Sequence, residues 1–162
     1  MPETAVSNAR IDYKVFQGII PEMGTGMAAV SHALRKSGIE PEIIELLKIR
    51  ASQVNGCAFC VQFHLNLARK AGVAQTKLDL VAVWRDAGVF SEREMAALAW
   101  TEELTKVTPN GVGNEAYGAA ERAFTKSELV FLTVAVASIN TWNRIAMAFR
   151  FTPPIPQERA KG

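Results

Sequence analysis

Apolar residues recur along this chain at spacings of three and four almost from end to end, and they nowhere alternate with period two for long enough to build a sheet. Ile11 to Gly18 and Glu22 to Lys36 read as two helices, the second closed by Gly38. Glu40-Pro41 opens a third, with proline at the favoured first position, running through Ile43, Ile44, Leu47 and Ile49 toward Val54. Asn55-Gly56 then breaks the pattern, the asparagine offering a capping side chain, and Cys57 to Ala71 reads as a further helix ended by Gly72. So short a link predicts a helical hairpin or a sharply bent pair. A shorter helix is expected over Gln75 to Arg85. Ser91 with Glu94 and Thr125 with Glu128 are capping boxes, opening helices that run through Lys106 and Phe149. Between these two, Pro109-Asn110-Gly111 marks a turn and Glu115 to Phe124 one more helix. The reading is one all-α domain, a single helical bundle of six to eight helices. It spans residues 11–150, after a polar N-terminal segment 1–10 and before an extended, proline-rich tail 151–162 that is expected to find its order against a neighbouring subunit.

Both cysteines of the protein and one of its two histidines fall in a single run, Cys57-Ala58-Phe59-Cys60-Val61-Gln62-Phe63-His64. At about 100° per residue, Cys57, Cys60 and His64 occupy roughly a 60° arc of their helix. The first thiol then stands in the first turn, where unsatisfied amides and the positive end of the helix dipole favour a thiolate. A dithiol acidified by a helix start, beside a base, is machinery for redox chemistry at sulfur. Glu45 is the fourth candidate: it lies twelve residues before Cys57 on a helix that must pack face to face with the next. From there a carboxylate reaches the start of the Cys57 helix and can exchange protons with it.

Each residue has a plainer reading. Glu45 can be a solvated residue paired with Lys48, His64 a packed core histidine, and the two cysteines inert buried thiols. Cys57, Cys60 and His64 can also be zinc ligands, although a closed structural site wants a fourth ligand and His32 lies one helix away. Trp84, Trp100 and Trp142 read as core or subunit-interface residues, and Arg144 as a buried ion-pair partner or an interface residue.

Composition narrows the setting more than the chemistry. A chain of 162 residues with 49% hydrophobic content can bury one real core. A formal charge of +2 implies neither a nucleic-acid nor a membrane partner. Met1 to Arg10 lacks the apolar segment of a secretory signal, and the apolar stretch around Leu129 to Ile139 is read as too short and interrupted to span a bilayer. Two cysteines cannot make a secreted disulfide scaffold, so a cytoplasmic location with reducing thiols is expected.

The pattern of glutamate, eleven residues, cysteine, two residues, cysteine, three residues and histidine runs from Glu45 through Cys57 and Cys60 to His64. It resembles the AhpD-like alkylhydroperoxidase family of the carboxymuconolactone decarboxylase superfamily. Leu47-Lys48-Ile49-Arg50-Ala51-Ser52 and Asn140-Thr141-Trp142-Asn143-Arg144 fit the same resemblance, whose specific part is residues 40–72. It implies an AhpD-like helical bundle in which Cys60 is the peroxidatic thiol, Cys57 the resolving thiol that closes a Cys57–Cys60 disulfide, and Glu45 and His64 the proton relay. It implies no bound cofactor or metal, but a peroxide substrate (or a protein disulfide) and an external dithiol reductant, lipoyl-type or thioredoxin-like. One departure stands out: the family's archetype has a further histidine immediately before the second cysteine, and here that place is Phe59. The rival functions are a carboxymuconolactone decarboxylase-like lyase, which does not depend on a C-x-x-C dithiol, and a non-enzymatic, zinc-stabilised helical module. The apolar final helix and the family's habit together predict a closed homo-oligomer, a homotrimer or homohexamer, with that helix at the interface.

Overall fold

The computed structural model describes residues 7–157. Its chain runs α1 (Tyr13–Ile19), α2 (Pro21–Arg35), α3 (Pro41–Asn55), α4 (Ala58–Lys70), α5 (Gln75–Leu80), a 3₁₀ turn (Val81–Val83), α6 (Trp84–Ala87), α7 (Glu92–Thr105), α8 (Asn114–Ala123) and α9 (Lys126–Phe149). The all-α architecture expected from the periodicity is the one the chain adopts, with eight longer helices and the single-turn α6 among the described residues. Among the described residues the one extended pairing is an isolated bridge between Thr108 and Gly111, at the expected turn.

Proline at the first position of α3 fixes the start of the helix around which the others are arranged. Apolar residues cover more than one side of α3, so it must be enclosed on more than one side. Leu46 and Ile49 pack with Val81, Trp84 and Leu98; Ile43, Ile44 and Leu47 pack with Trp100, Leu132 and Val136; Ala51 joins Cys57, Cys60, Ile139 and Phe151. The capping boxes at Ser91 and Thr125 both form, each hydroxyl accepting from the glutamate amide three residues on while that glutamate accepts from the cap amide.

The helix expected over 75–85 is broken. In a 3₁₀ turn residues three apart eclipse, and the turn at 81–83 directs Val81 and Trp84 together into the core, at 0% and 6% exposure. Trp84 Nε1 donates to Glu102 at 2.9 Å, which a continuous α-helix would have rotated away. Arg144 is not a buried ion-pair partner: it is exposed and donates to the carbonyl and side-chain oxygens of Asn140.

Two expectations about the C-terminal part need correction. With 24 residues and an 18-residue window of mean hydropathy 1.3, α9 has the length and composition of a membrane span, because its apolar character continues past Asn140 and Asn143. Its inner side packs on α3 and α7, with those two asparagines matched to partners in the protein. The tail is extended from 151 to 157 as expected, but it finds its order on its own chain. Phe151 is buried and its amide donates to Ala146, while Asn66 Nδ2 donates to the Pro154 carbonyl at 2.9 Å. Residues 1–6 and 158–162 of the predicted terminal segments lie outside the described residues.

Candidate functional site

Gly56 has φ +76°, a left-handed conformation that side chains with a Cβ resist. It closes α3 as a one-residue link, and the Cys57 amide donates to the Ser52 carbonyl at 2.9 Å. Cys57 is therefore the N-cap of α4 rather than a first-turn residue, and its Sγ accepts from the Cys60 amide at 3.3 Å. That contact places the sulfur at the positive end of the helix. Asn55 does not cap α4. It ends α3, and its Nδ2 donates to Oδ1 of Asn143 at 2.8 Å and of Asn140 at 2.9 Å. Asn143 is fully buried and donates in turn to Ser52 Oγ at 3.0 Å. A polar strut between α3 and α9 thus ends at the residue before the turn.

Cys57 and Cys60 are joined by a disulfide, with Cα atoms 5.3 Å apart. One turn further along α4, His64 Nδ1 lies 2.8 Å from Glu45 Oε2. The antiparallel hairpin forces this meeting, because Glu45 stands three turns back from the link on α3 while His64 stands two turns forward on α4. Glu45 is neither solvated nor paired with Lys48; its side chain is 14% exposed and that of His64 10%. With Glu45 ionised, Nδ1–H donates to it and Nε2 keeps its lone pair. Burial pushes His64 below the ordinary imidazole range, against the pull of Glu45 and with help from the charge of Lys48. The ring is therefore a neutral base at neutral pH.

Lys48 entered the sequence reading only as the partner of a solvated Glu45. One turn from Glu45 on α3, it is only 9% exposed. Burial holds its ammonium below the usual lysine range; Glu45 opposes that shift and Arg35 adds to it. Its one sequence signal is a cation inside the apolar run Ile43 to Ile49.

A cavity of about 660 Å³ opens between the α1–α2 layer and the α3–α4 hairpin. Cys60, His64, Glu45, Lys48, Phe59 and Phe63 face it, and Cys57 is not part of its wall. The dithiol is therefore asymmetric, with one sulfur on the cavity and one behind it. Phe59 forms part of the wall and of an aromatic cluster, with ring centroids 5.3 Å from Tyr13, 5.4 Å from Phe151 and 5.9 Å from Phe63. Among the described residues no group of three or more His, Cys, Asp or Glu side chains is placed to hold a metal ion.

Residues 21–103 match the Carboxymuconolactone decarboxylase family. The uncharacterized protein YdfG of Bacillus subtilis (strain 168) is 34% identical over 130 residues, covering 80% of this chain and 88% of that one. A crystal structure of a protein of unknown function from Agrobacterium tumefaciens, named there as a candidate antioxidant defence protein AhpD, superposes with a TM-score of 0.83 at 37% identity. The match covers 92% of this chain and all of that one (100%). The AhpD core of an uncharacterized peroxidase-related protein from Ralstonia eutropha JMP134 gives a TM-score of 0.74 over 86% of this chain and 74% of that one. At 22% identity, that last likeness is one of fold.

Proposed function

Because the chain belongs to the carboxymuconolactone decarboxylase family and has the AhpD-like fold, we propose that it is a two-cysteine antioxidant oxidoreductase that reduces peroxides through a Cys57–Cys60 dithiol/disulfide cycle. The observation that carries this reading is the asymmetry of the pair: Cys60 opens on the cavity beside the His64–Glu45 hydrogen bond, and Cys57 does not. Cys60, as thiolate, attacks the terminal oxygen of a hydroperoxide. The S–O bond forms as the O–O bond breaks, leaving a sulfenic acid and an alkoxide. His64 accepts the thiol proton on Nε2, with Glu45 holding the ring and its rising charge, and returns it to the alkoxide. The Cys57 thiol then displaces the hydroxyl of the sulfenic acid, which leaves as water, and the disulfide closes. An external dithiol, lipoyl-type or thioredoxin-like, supplies the two electrons that reopen it.

The direct test is a single turnover. Fully reduced protein without a donor should consume one equivalent of an alkyl hydroperoxide, lose two titratable thiols and stay monomeric on a denaturing non-reducing gel. Adding a dithiol donor should make consumption continuous. If thiol loss instead produced cross-linked chains, or if peroxide survived contact with the reduced protein, the reading would fail.

The same reading includes a closed homotrimer or homohexamer. In support, α9 leaves Val130 58% and Val134 41% exposed one turn apart on its outer side, and Met147 44% exposed near its end. Light scattering at micromolar concentration should return a multiple of the 17.7 kDa chain mass. A single-chain mass would overturn this part.

A further inference from the structure

A buried lysine normally has a carboxylate beside it, because an unpaired charge loses its hydration without compensation. Lys48 departs from that rule. It is 9% exposed, and among the described residues no carboxylate pairs with its ammonium. Glu45, its nearest candidate on α3, gives its carboxylate to His64 instead. Arg35, at the end of α2, faces the same cavity, is close enough for its charge to act on Lys48, and likewise pairs with no carboxylate among the described residues. Two cations, Lys48 buried and Arg35 exposed, therefore face one cavity and repel each other, while the acidic group in the same wall, Glu45, is engaged with His64. The rest of the wall is largely apolar, with Met27, Leu34, Ile39, Ile44 and Leu67 among its residues.

Such a chamber suits one kind of guest. An apolar body gains by leaving water for the aliphatic wall, and an anionic head between two cations converts their repulsion into attraction at a partly dry site. We propose that this cavity is a binding site for an amphipathic organic acid, its carboxylate held by Lys48 and Arg35. Resting on the peroxidase reading above, the substrate is an organic hydroperoxide that carries a carboxylate. The carboxylate takes no part in the chemistry: the hydroperoxide becomes the hydroxy acid, one water is released, and the two thiols become the disulfide. The anion site itself does not depend on that reaction. An arriving carboxylate also opposes the effect of burial on Lys48, favouring the charged ammonium that the dry wall disfavours.

The binding arm uses the protein in its disulfide form, so no turnover is involved. Calorimetric titration with decanoate and with decanol should show the acid binding at least about tenfold more tightly, the equivalent of about 1.4 kcal/mol. Lys48→Met keeps the length of the stem and removes the charge, and Arg35→Gln does the same at the rim. Each should bring the acid-to-alcohol ratio toward one while decanol still binds. Circular dichroism melting checks that both variants are folded; were Lys48→Met to unfold, Arg35→Gln alone decides. The kinetic arm compares a fatty-acid hydroperoxide with its methyl ester on the reduced protein, the acid being the faster substrate in kcat/KM and the ratio collapsing in the variants. Decanoate and decanol binding equally, or decanoate binding unchanged in both variants, overturns the inference. Charge-dependent binding with no hydroperoxide consumed upholds the anion site and removes the peroxidase reading, so the two failures are told apart.

Discussion

Replacing Cys60 by serine should abolish peroxide turnover, whereas Cys57→Ser should leave one round of attack intact and stop there. The two thiols differ in what they face. Cys60 is on the cavity wall with His64 and Glu45, and Cys57 sits behind it as the helix cap. On the proposed reading a peroxide entering the cavity meets Cys60 first, so its loss would remove the nucleophile. A rate reduction of a thousandfold or more, on the order of 4 kcal/mol in barrier, is the expected scale for losing a covalent participant. In Cys57→Ser the sulfenic acid at Cys60 has no partner thiol and should persist long enough for a dimedone-type probe to label it, as read by peptide mass spectrometry. Labelling at Cys57 in the Cys60→Ser protein would reverse the roles.

The second large effect concerns stability, and it lies away from the cavity. Glu102 on α7 is 6% exposed and accepts from Arg50 Nε at 2.7 Å, Arg85 Nη1 at 2.7 Å and Trp84 Nε1 at 2.9 Å. Burial alone would push its carboxyl up, but the hydrogen bonds from Trp84, Arg85 and Arg50 outweigh it and lower the group from 4.5 to about 2. Arg85 is 60% exposed and contributes little through solvent; the weight falls on Arg50 and the indole. Glu102→Ala should cost about 3 kcal/mol, since it leaves a partly buried guanidinium and an indole N–H without their acceptor. For a chain of this length that is a fall in Tm on the order of 10 °C. The pH dependence follows from the lowered value. The carboxylate contributes stability at and above its ordinary value of 4.5, and that contribution is lost as the pH falls from there toward 2. Urea unfolding at pH 7 and pH 3 should show the difference in wild type and lose this part of it in Glu102→Gln. Equal differences in both would remove Glu102 as the cause.

Much of this could be read before any coordinates. Ser91 with Glu94 and Thr125 with Glu128 announce two helix starts, because a capping box is a local device whose residues satisfy one another. Pro41 fixes a third. That Glu45 would face the Cys57 helix was readable from a link as short as Gly56; that it meets His64 two turns along, and not the start of that helix, follows from the antiparallel register the hairpin adopts. What the sequence withheld is what the far side of each helix meets. Helical period says that Glu45 and Lys48 share a face; it does not say that α1 and α2 roof that face, so the lysine looked like the glutamate's solvated partner. The same limit applies to Asn55, whose side chain turns to Asn143 on α9, 88 positions later in the chain. It applies also to Val81 and Trp84, which a tighter turn brings together, and to the tail, which uses Asn66 as its anchor.

Phe59 carries a consequence for how such a site can change over generations. Its ring is held by Tyr13 near the start of the described chain and by Phe151 near its end. A histidine substituted there would replace ring contacts with Tyr13, Phe63 and Phe151 by a polar ring that is partly desolvated among them. The step between a phenylalanine version of this site and a histidine version is therefore uphill when taken alone. It becomes passable only after the flanking helix or the tail has altered first. One position beside the thiols is thus tied to mutational history at both ends of the chain, and grafting that single residue between relatives should fail where exchanging it together with Tyr13 and Phe151 succeeds.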